Sequence, residues 1–310
     1  MALILDGLQD AGFSDIREPG HFDAAITASV HSAPYLDFLE SAAKRWREAG
    51  YAGDVVAMTY PRGSRRGRPP TDIDGAVGYF CMSSDTAITA SSWSAIKRGA
   101  DCAQSAADLV AGGEAAAFSL SRPPGHHAGA DYMGGYCFLN TAAIAAQHLR
   151  NQGAARAAVL DVDFHHGNGT QDIFYRRNDV LYASIHGNPE EHFPYFWGHR
   201  DETGALQGEG FNVNYPLPAG TSFRQWSDAL QDAVVRIRSF RADALIVSLG
   251  VDAYEHDPLS SFLLSTEDFR SCGQILATLN LPTVFVMEGG YTVRETGTNV
   301  AAVLAGFLNR

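Results

Sequence analysis

The chain has 310 residues, 45% of them hydrophobic and 19% charged, which is enough apolar material for one large α/β domain or two small ones. Its formal net charge of −12 argues against nucleic acid as a partner and favours cationic ligands near the surface. Cys81, Cys102, Cys137 and Cys272 are scattered without a C-x-x-C pair, no basic-then-apolar leader opens the chain, and no apolar run approaches about 18 residues. Free thiols, a cytoplasmic location and no membrane contact are therefore expected.

Residues 1–12 and 22–50 read as helical. The clearest part is Pro34 to Arg47, where Tyr35, Phe38, Leu39, Ala42 and Trp46 recur at helical spacing, and Gly50 closes it. Residues 52–75 have no periodicity and carry a basic cluster, Arg62-Gly-Ser-Arg-Arg-Gly-Arg-Pro-Pro, which reads as an exposed loop. Asp72, Asp74 and Asp85 follow as a sparse acidic set.

From about Trp93 the pattern becomes regular. A helix to Gly112 leads to an apolar strand at Ala115–Leu120, then a glycine-rich loop and a helix at Asn140–Arg150. The strand Ala157–Leu160 comes next, followed by strands at Val180–Ile185 and Phe211–Tyr215, a helix at Ser222–Phe240 and a strand at Ala244–Leu249. A helix at Thr266–Leu279, a strand at Thr283–Met287 and a helix at about Glu295–Leu308 complete the chain. Strand and helix alternate through the C-terminal two thirds of the chain. The expected fold is α/β: a mostly parallel sheet flanked by helices on both faces, in a single domain over 1–310 with an inserted loop at about 52–92. The connection 186–210 is longer than usual, as functional loops often are.

Chemistry gathers where the strands end. After Leu120 comes Arg122-Pro-Pro-Gly-His-His-Ala-Gly; after Leu160 come Asp161, Asp163 and His165; after Leu249 comes Gly250-Val-Asp252; after Met287 comes Glu288-Gly-Gly-Tyr291. Open α/β sheets bind ligands at these carboxyl ends. The spacing i, i+2, i+4 sends Asp161, Asp163 and His165 to one side of an extended chain. Asp163, His165 and Asp252 offer two carboxylates and an imidazole, suitable for Zn²⁺ or a similar divalent metal with positions left open for water and substrate. Two anionic ligands leave such a site formally neutral, so its water is only modestly acidified and a base is useful. His126 and His127 are the candidate bases, with Asp161 and Asn168 placed to fix their far ring nitrogens. A carboxylate behind one histidine and an amide behind the other would separate their pKa values. Tyr291, after two glycines, can present its hydroxyl to a developing oxyanion. Together these residues describe a metal-assisted amide hydrolase. Taken singly, the His pair could be a satisfied loop and Gly-Gly-Tyr a plain turn.

These motifs, with Gly134-Gly-Tyr-Cys-Phe-Leu-Asn140 and the whole Asp161–Gly169 stretch, resemble those of the arginase–deacetylase superfamily. Specifically, the chain is similar to bacterial acetylpolyamine amidohydrolases, relatives of the histone deacetylases, from about Asp10 to Leu308. The resemblance implies the arginase/deacetylase fold and one Zn²⁺ on Asp163, His165 and Asp252. It implies His127 as general base and acid, His126 as its electrostatic partner, Asp161 behind His126, Asn168 behind His127, and Tyr291 as oxyanion donor. The water activated by the metal would attack the acetyl amide of a small cationic acetylated amine. Tyr136 and Phe193 would line an acyl-amine tunnel, although both could be ordinary core aromatics. Structural K⁺ is implied near Asp161, Asp163, His165, Ser184 and Ile185, and again near Phe174, Arg177, Val180 and Phe211. A homodimer is implied, its inserted loop narrowing the mouth with acidic residues. Asp74 and Asp85 stand at those positions, where relatives carry the longer glutamate. The resemblance also implies a strand and loop ahead of the helix that opens at Met1.

Three other readings stay open at this point. A protein acetyl-lysine deacetylase shares the chemistry. An arginase-like ureohydrolase would need a second pair of bridging aspartates, which the sequence does not offer. A non-catalytic polyamine-binding protein would have little use for Tyr291 and both histidines.

Overall fold

All six expected strands form, and they pair side by side in parallel. The computed structural model describes residues 1–61 and 68–309. The strands are β1 (Ala116–Ser119), β2 (Ala157–Asp161), β3 (Val180–Gly187), β4 (Asn212–Leu217), β5 (Ala244–Leu249) and β6 (Thr283–Met287), in the spatial order β1-β6-β5-β2-β3-β4. After β2 the chain moves outward through β3 and β4, then crosses back to place β5 on the other flank of β2. The order reverses between β2 and β5, where Asp161 pairs in register with Ser248. Loops leaving these two strands diverge to opposite sides and open a crevice at their carboxyl ends.

Side chains alternate across this sheet. Ala157, Val159, Ala244, Ile246, Val284 and Val286 face one core, where they meet α3 (Ala33–Glu48), α4 (Ile73–Tyr79), α5 (Ser92–Ala111) and α6 (Thr141–Asn151). Ala158, Leu160, Leu245, Val247, Phe285 and Met287 face the other, covered by α1 (Ala2–Asp10), α8 (Phe223–Phe240), α9 (Thr266–Ala277) and α10 (Glu295–Phe307). Both faces are dry, so the inner strands can be apolar without a break. Any charge at their ends is set against a low-dielectric wall. Among the described residues no helix is long and apolar enough to cross a membrane.

Three stretches differ from the sequence reading. The helix expected over 22–50 is two helices, α2 (Ala25–Val30) and α3, because His31 and Ser32 are extended and the Ser32 N–H donates to the Ala130 carbonyl (2.8 Å). Pro34 has no N–H to give to a continuous helix and sits in the first turn of the new one. Within 52–92, α4 forms where no helix was expected. Asp72 caps it by accepting the N–H groups of Asp74 (2.9 Å) and Gly75 (3.5 Å). A further helix, α7 (Asn168–Phe174), follows the glycines after β2. The basic residues Arg62, Arg65 and Arg66 lie outside the described residues.

His31 ties the break between α2 and α3 to the loops around the site. Its Nε2 accepts the Asn140 N–H and its Nδ1 donates to the Gly129 carbonyl, both at 2.9 Å. Burial pulls its pKa down to about 4, against weaker raising contributions from backbone carbonyls. The unfolded chain takes up this proton near pH 6.5 and the folded protein only near 4. The stability the neutral ring contributes is therefore full above pH 6.5 and falls by about 1.4 kcal/mol per unit as pH drops toward 4. An NMR titration of the His31 ring should give a midpoint near 4; one near 6.5 would show the ring is not sealed in this network.

Candidate active site

The crevice between β2 and β5 collects the ionisable residues. β2 ends at Asp161, one residue later than expected, and Asp163 and His165 lie beyond the strand. Their local shape comes from carboxylates that bond the N–H two residues on: Asp161 Oδ1 accepts from Asp163 N (3.2 Å), and Asp163 Oδ1 from His165 N (2.9 Å). From β5, Asp252 accepts the Phe164 N–H on Oδ1 (2.8 Å) and faces His165 Nδ1 with Oδ2 (2.9 Å). The Gly289 N–H donates to Asp163 Oδ2 (2.8 Å). One donor atom from each of Asp163, His165 and Asp252 lies within 4.8 Å of the others.

This trio suits a divalent cation. Both aspartates are fully buried, and the His165 ring stands between them. Burial opposes the charge on each carboxylate. The neighbouring His126 and His165 nevertheless hold Asp163 below its ordinary value, while burial and the Asp163 charge push Asp252 up. Burial likewise disfavours a charged His165, yet its bonds to the two aspartates raise it to about 9. Without a metal the three groups must share a proton; a bound cation takes that proton's place. Space is cleared by glycine: a Cβ on Gly289 would fall 2.6 Å from Asp163 Oδ2 and 2.7 Å from Asp252 Oδ2.

Two imidazoles arrive from the loop after β1. Their rings are 4.0 Å apart, and their partners differ. His126 Nδ1 bonds Asp161 Oδ2 (3.1 Å), whereas His127 Nδ1 donates to Asn168 Oδ1 (2.8 Å). Burial works against charge on both. The Asp163 and Asp161 carboxylates nonetheless raise His126 well above its ordinary value. Burial and the charges of His126 and His165 drive His127 well below it. The two neighbouring rings are thus pulled in opposite directions.

Tyr291 follows β6 on a loop fixed by Asp257, whose Oδ2 accepts the N–H groups of Tyr291 (2.7 Å) and Thr292 (3.2 Å). Burial, then the charges of Asp252 and Asp163, push the phenol far above its ordinary pKa, so it remains a hydrogen-bond donor. His127, His165 and Tyr291 share a cavity of about 260 Å³ with Tyr136 and Phe193. The Phe193 ring stands edge-on to His127 at 5.0 Å. Exposed Asp85 and Glu191 also line the cavity, and among the described residues no Lys or Arg does.

A sequence model of the histone deacetylase domain matches residues 1–307. The chain is 50% identical over 303 residues to the acetylpolyamine amidohydrolase of Mycoplana ramosa, covering 98% of this chain and 89% of that one. It is also 50% identical over 306 residues to acetylpolyamine amidohydrolase 1 of Pseudomonas aeruginosa, covering 98% of this chain and 88% of that one. The crystal structure of an acetylpolyamine aminohydrolase from Burkholderia pseudomallei superposes with a TM-score of 0.94 at 40% identity, over 99% of this chain and 89% of that one. The chain belongs to the histone deacetylase family.

Of the two aspartates that the resemblance places at the mouth, one lines this cavity. Asp74 is in the first turn of α4 and does not line the cavity. Asp85 does, but it also holds the turn before Tyr136, accepting from Ser83 Oγ (2.6 Å), Thr86 Oγ1 (2.9 Å) and Gly135 N (3.1 Å). Of the residues expected around K⁺, Asp161 and Ser184 are register partners on β2 and β3, with Ile185 next along β3. Phe174, Arg177, Val180 and Phe211 gather where α7 ends and β3 begins. There the Phe174 carbonyl accepts from Arg177 N (2.9 Å) and the Phe211 carbonyl from Tyr182 N (2.9 Å), each keeping a second lone pair.

His126, Cys137 and Glu288 also bring donor atoms within 4.8 Å of one another. They suit a metal poorly. The His126 ring is committed to Asp161, Glu288 Oε2 accepts two N–H groups, and burial keeps the Cys137 thiol protonated. A second cavity, about 200 Å³ between α2, α3 and α5, is lined by no imidazole among the described residues, and its buried Asp101 is already bonded to Arg98 (3.1 Å).

Sequence reasoning gave Asp257 and Glu288 no role, because each acts on backbone N–H groups far along the chain. For the metal-donor trio, Gly289→Ala should drive a methyl group against both carboxylates. It should weaken divalent-metal binding at least about tenfold with the far-ultraviolet circular dichroism unchanged. Wild-type affinity in equilibrium dialysis would show that the carboxylates have room to move.

Proposed function

We propose that this chain is a metal-dependent amide hydrolase that removes the acetyl group from acetylated polyamines, with Zn²⁺ as its metal. The observation that carries the reading is the unequal histidine pair, His126 backed by Asp161 and His127 by Asn168, beside the Asp163–His165–Asp252 trio. The relatives that match over nearly the whole chain are named for this reaction.

Asp163, His165 and Asp252 would hold the Zn²⁺, which when bound would supply Lewis acidity toward water and the substrate carbonyl. The protein's own groups move the protons. His127 gives its Nδ1–H to Asn168, which leaves Nε2 with a free lone pair to accept a proton from the attacking water. The same nitrogen then returns that proton to the departing amine, which makes the amine a viable leaving group. His126 stays protonated against Asp161 and offsets the negative charge that builds beside it. The Tyr291 hydroxyl donates to the carbonyl oxygen as it gains charge.

Substrate choice follows from the cavity. Tyr136 and Phe193 present aromatic faces to an alkyl chain, and Asp85 and Glu191 favour a cationic far end. Both carboxylates are exposed, so their attraction is screened and modest in size. The K⁺ sets named above would be structural, stiffening the ends of β2 and β3 behind Asp161.

A panel of N-acetylputrescine, N-acetylcadaverine, N-acetylspermidine and an acetyl-lysine peptide, read as kcat/KM, tests the assignment. At least about a tenfold preference for the polyamines is expected from two carboxylates at the mouth. Preference for the peptide would overturn the substrate class, and no hydrolysis of any of them would overturn the reaction.

A further inference from the structure

Glu288 is a buried acid that the reaction above does not use. It follows directly on β6, and its side chain is 2% exposed. Its Oε2 accepts the N–H of Gly125 (2.7 Å) and of His126 (3.1 Å), residues 163 and 162 positions earlier. Its Oε1 has no hydrogen-bond partner among the described residues. Keeping a carboxylate so far from water is costly unless the bonds it makes are needed.

The same turn of chain reaches the metal donors, since the next residue, Gly289, donates its N–H to Asp163 Oδ2 (2.8 Å). The end of β6 therefore grips the histidine loop with a side chain and Asp163 with a backbone N–H, one residue apart. On its other side the histidine loop is held by α7, where Gly169 N (3.0 Å) and Thr170 N (3.1 Å) both donate to the His126 carbonyl. The His126 peptide groups are thus fixed from two directions. The N–H side depends on Glu288 alone among the described residues.

We propose that Glu288 is a positioning residue for catalysis: by accepting the Gly125 and His126 N–H groups it sets where both imidazoles stand relative to Asp163, His165 and Asp252. What the site requires is the acceptor oxygen, and glutamine, which keeps one, should serve nearly as well. This inference rests on the histidine roles proposed above. A misplacement of about 1 Å in a catalytic group can cost on the order of 100-fold in rate, and loss of an outer-shell partner commonly costs about 10- to 100-fold.

The test compares Glu288→Met, which fills the space without an acceptor, with Glu288→Gln. Steady-state kinetics of the metal-loaded enzymes and hydrogen exchange at the Gly125 and His126 amides are both measured. For Glu288→Met, kcat should fall about 10- to 100-fold with KM changed less than about threefold, and both amides should lose protection. Glu288→Gln should keep that protection and stay within about fivefold of the wild-type kcat. Wild-type kcat in Glu288→Met, retained amide protection in it, or a Glu288→Gln as slow as Glu288→Met would each overturn the proposal. If Glu288→Met does not fold, Glu288→Gln decides alone: near wild-type kcat supports the acceptor role, and a collapse refutes it. If the wild type hydrolyses nothing in the panel, the proposed function fails while the amide exchange still decides what Glu288 holds.

Discussion

Two carboxylates with no access to water, Asp163 and Asp252, face a single imidazole at the seam between β2 and β5. Nearly every other feature of the crevice serves that arrangement. The reversal of strand order lets residues 89 positions apart meet without crossing loops. The N–H groups of Phe164, His165 and Gly289 are spent on the two carboxylates. Glycines at 250 and 289 give the oxygens room that a side chain would fill. The apolar cores on both faces of the sheet make the charges strong by keeping the dielectric low, and for the same reason they make an uncompensated charge intolerable.

From this constraint the behaviour of the histidine pair follows. Against the cost of burial, Asp163 and Asp161 together raise the pKa of His126, while burial and then the charges of His126 and His165 lower that of His127. Asn168 reinforces the difference, because an amide oxygen orients the His127 ring without attracting a proton as a carboxylate would. Two chemically identical side chains, adjacent in sequence, are thereby made unequal by what stands behind them.

Much of this was legible in the amino-acid sequence. Runs such as Ala244–Leu249 are apolar because both faces of their strands are covered, so the strands and their parallel arrangement could be read. The polar clusters that follow them located the crevice. Less was legible where one residue changes the outcome. Ser32 and Pro34 split a helix whose apolar spacing looks continuous, and Asp72 caps a short helix within an aperiodic stretch. The spacing of Asp161, Asp163 and His165 suits an extended chain, whereas side-chain bonds to the backbone shape the chain after Asp161. Asp257 left no signal, and Glu288 stood out only as part of a polar cluster after a strand, since a carboxylate that binds distant peptide groups has no pattern of spacing to betray its role. Asp74, expected at the mouth by resemblance, is in the first turn of α4 and does not line this chain's cavity.

The central claim is that Asp163, His165 and Asp252 form a site built for a divalent cation. Titrating metal-free protein with Zn²⁺, while following bound metal and the thermal unfolding midpoint, tests it directly. The account predicts one ion per chain and a rise in the midpoint as the ion stabilises the folded state, with both lost in Asp252→Asn while the secondary structure persists. No saturable binding, or equal binding by Asp252→Asn, would contradict it.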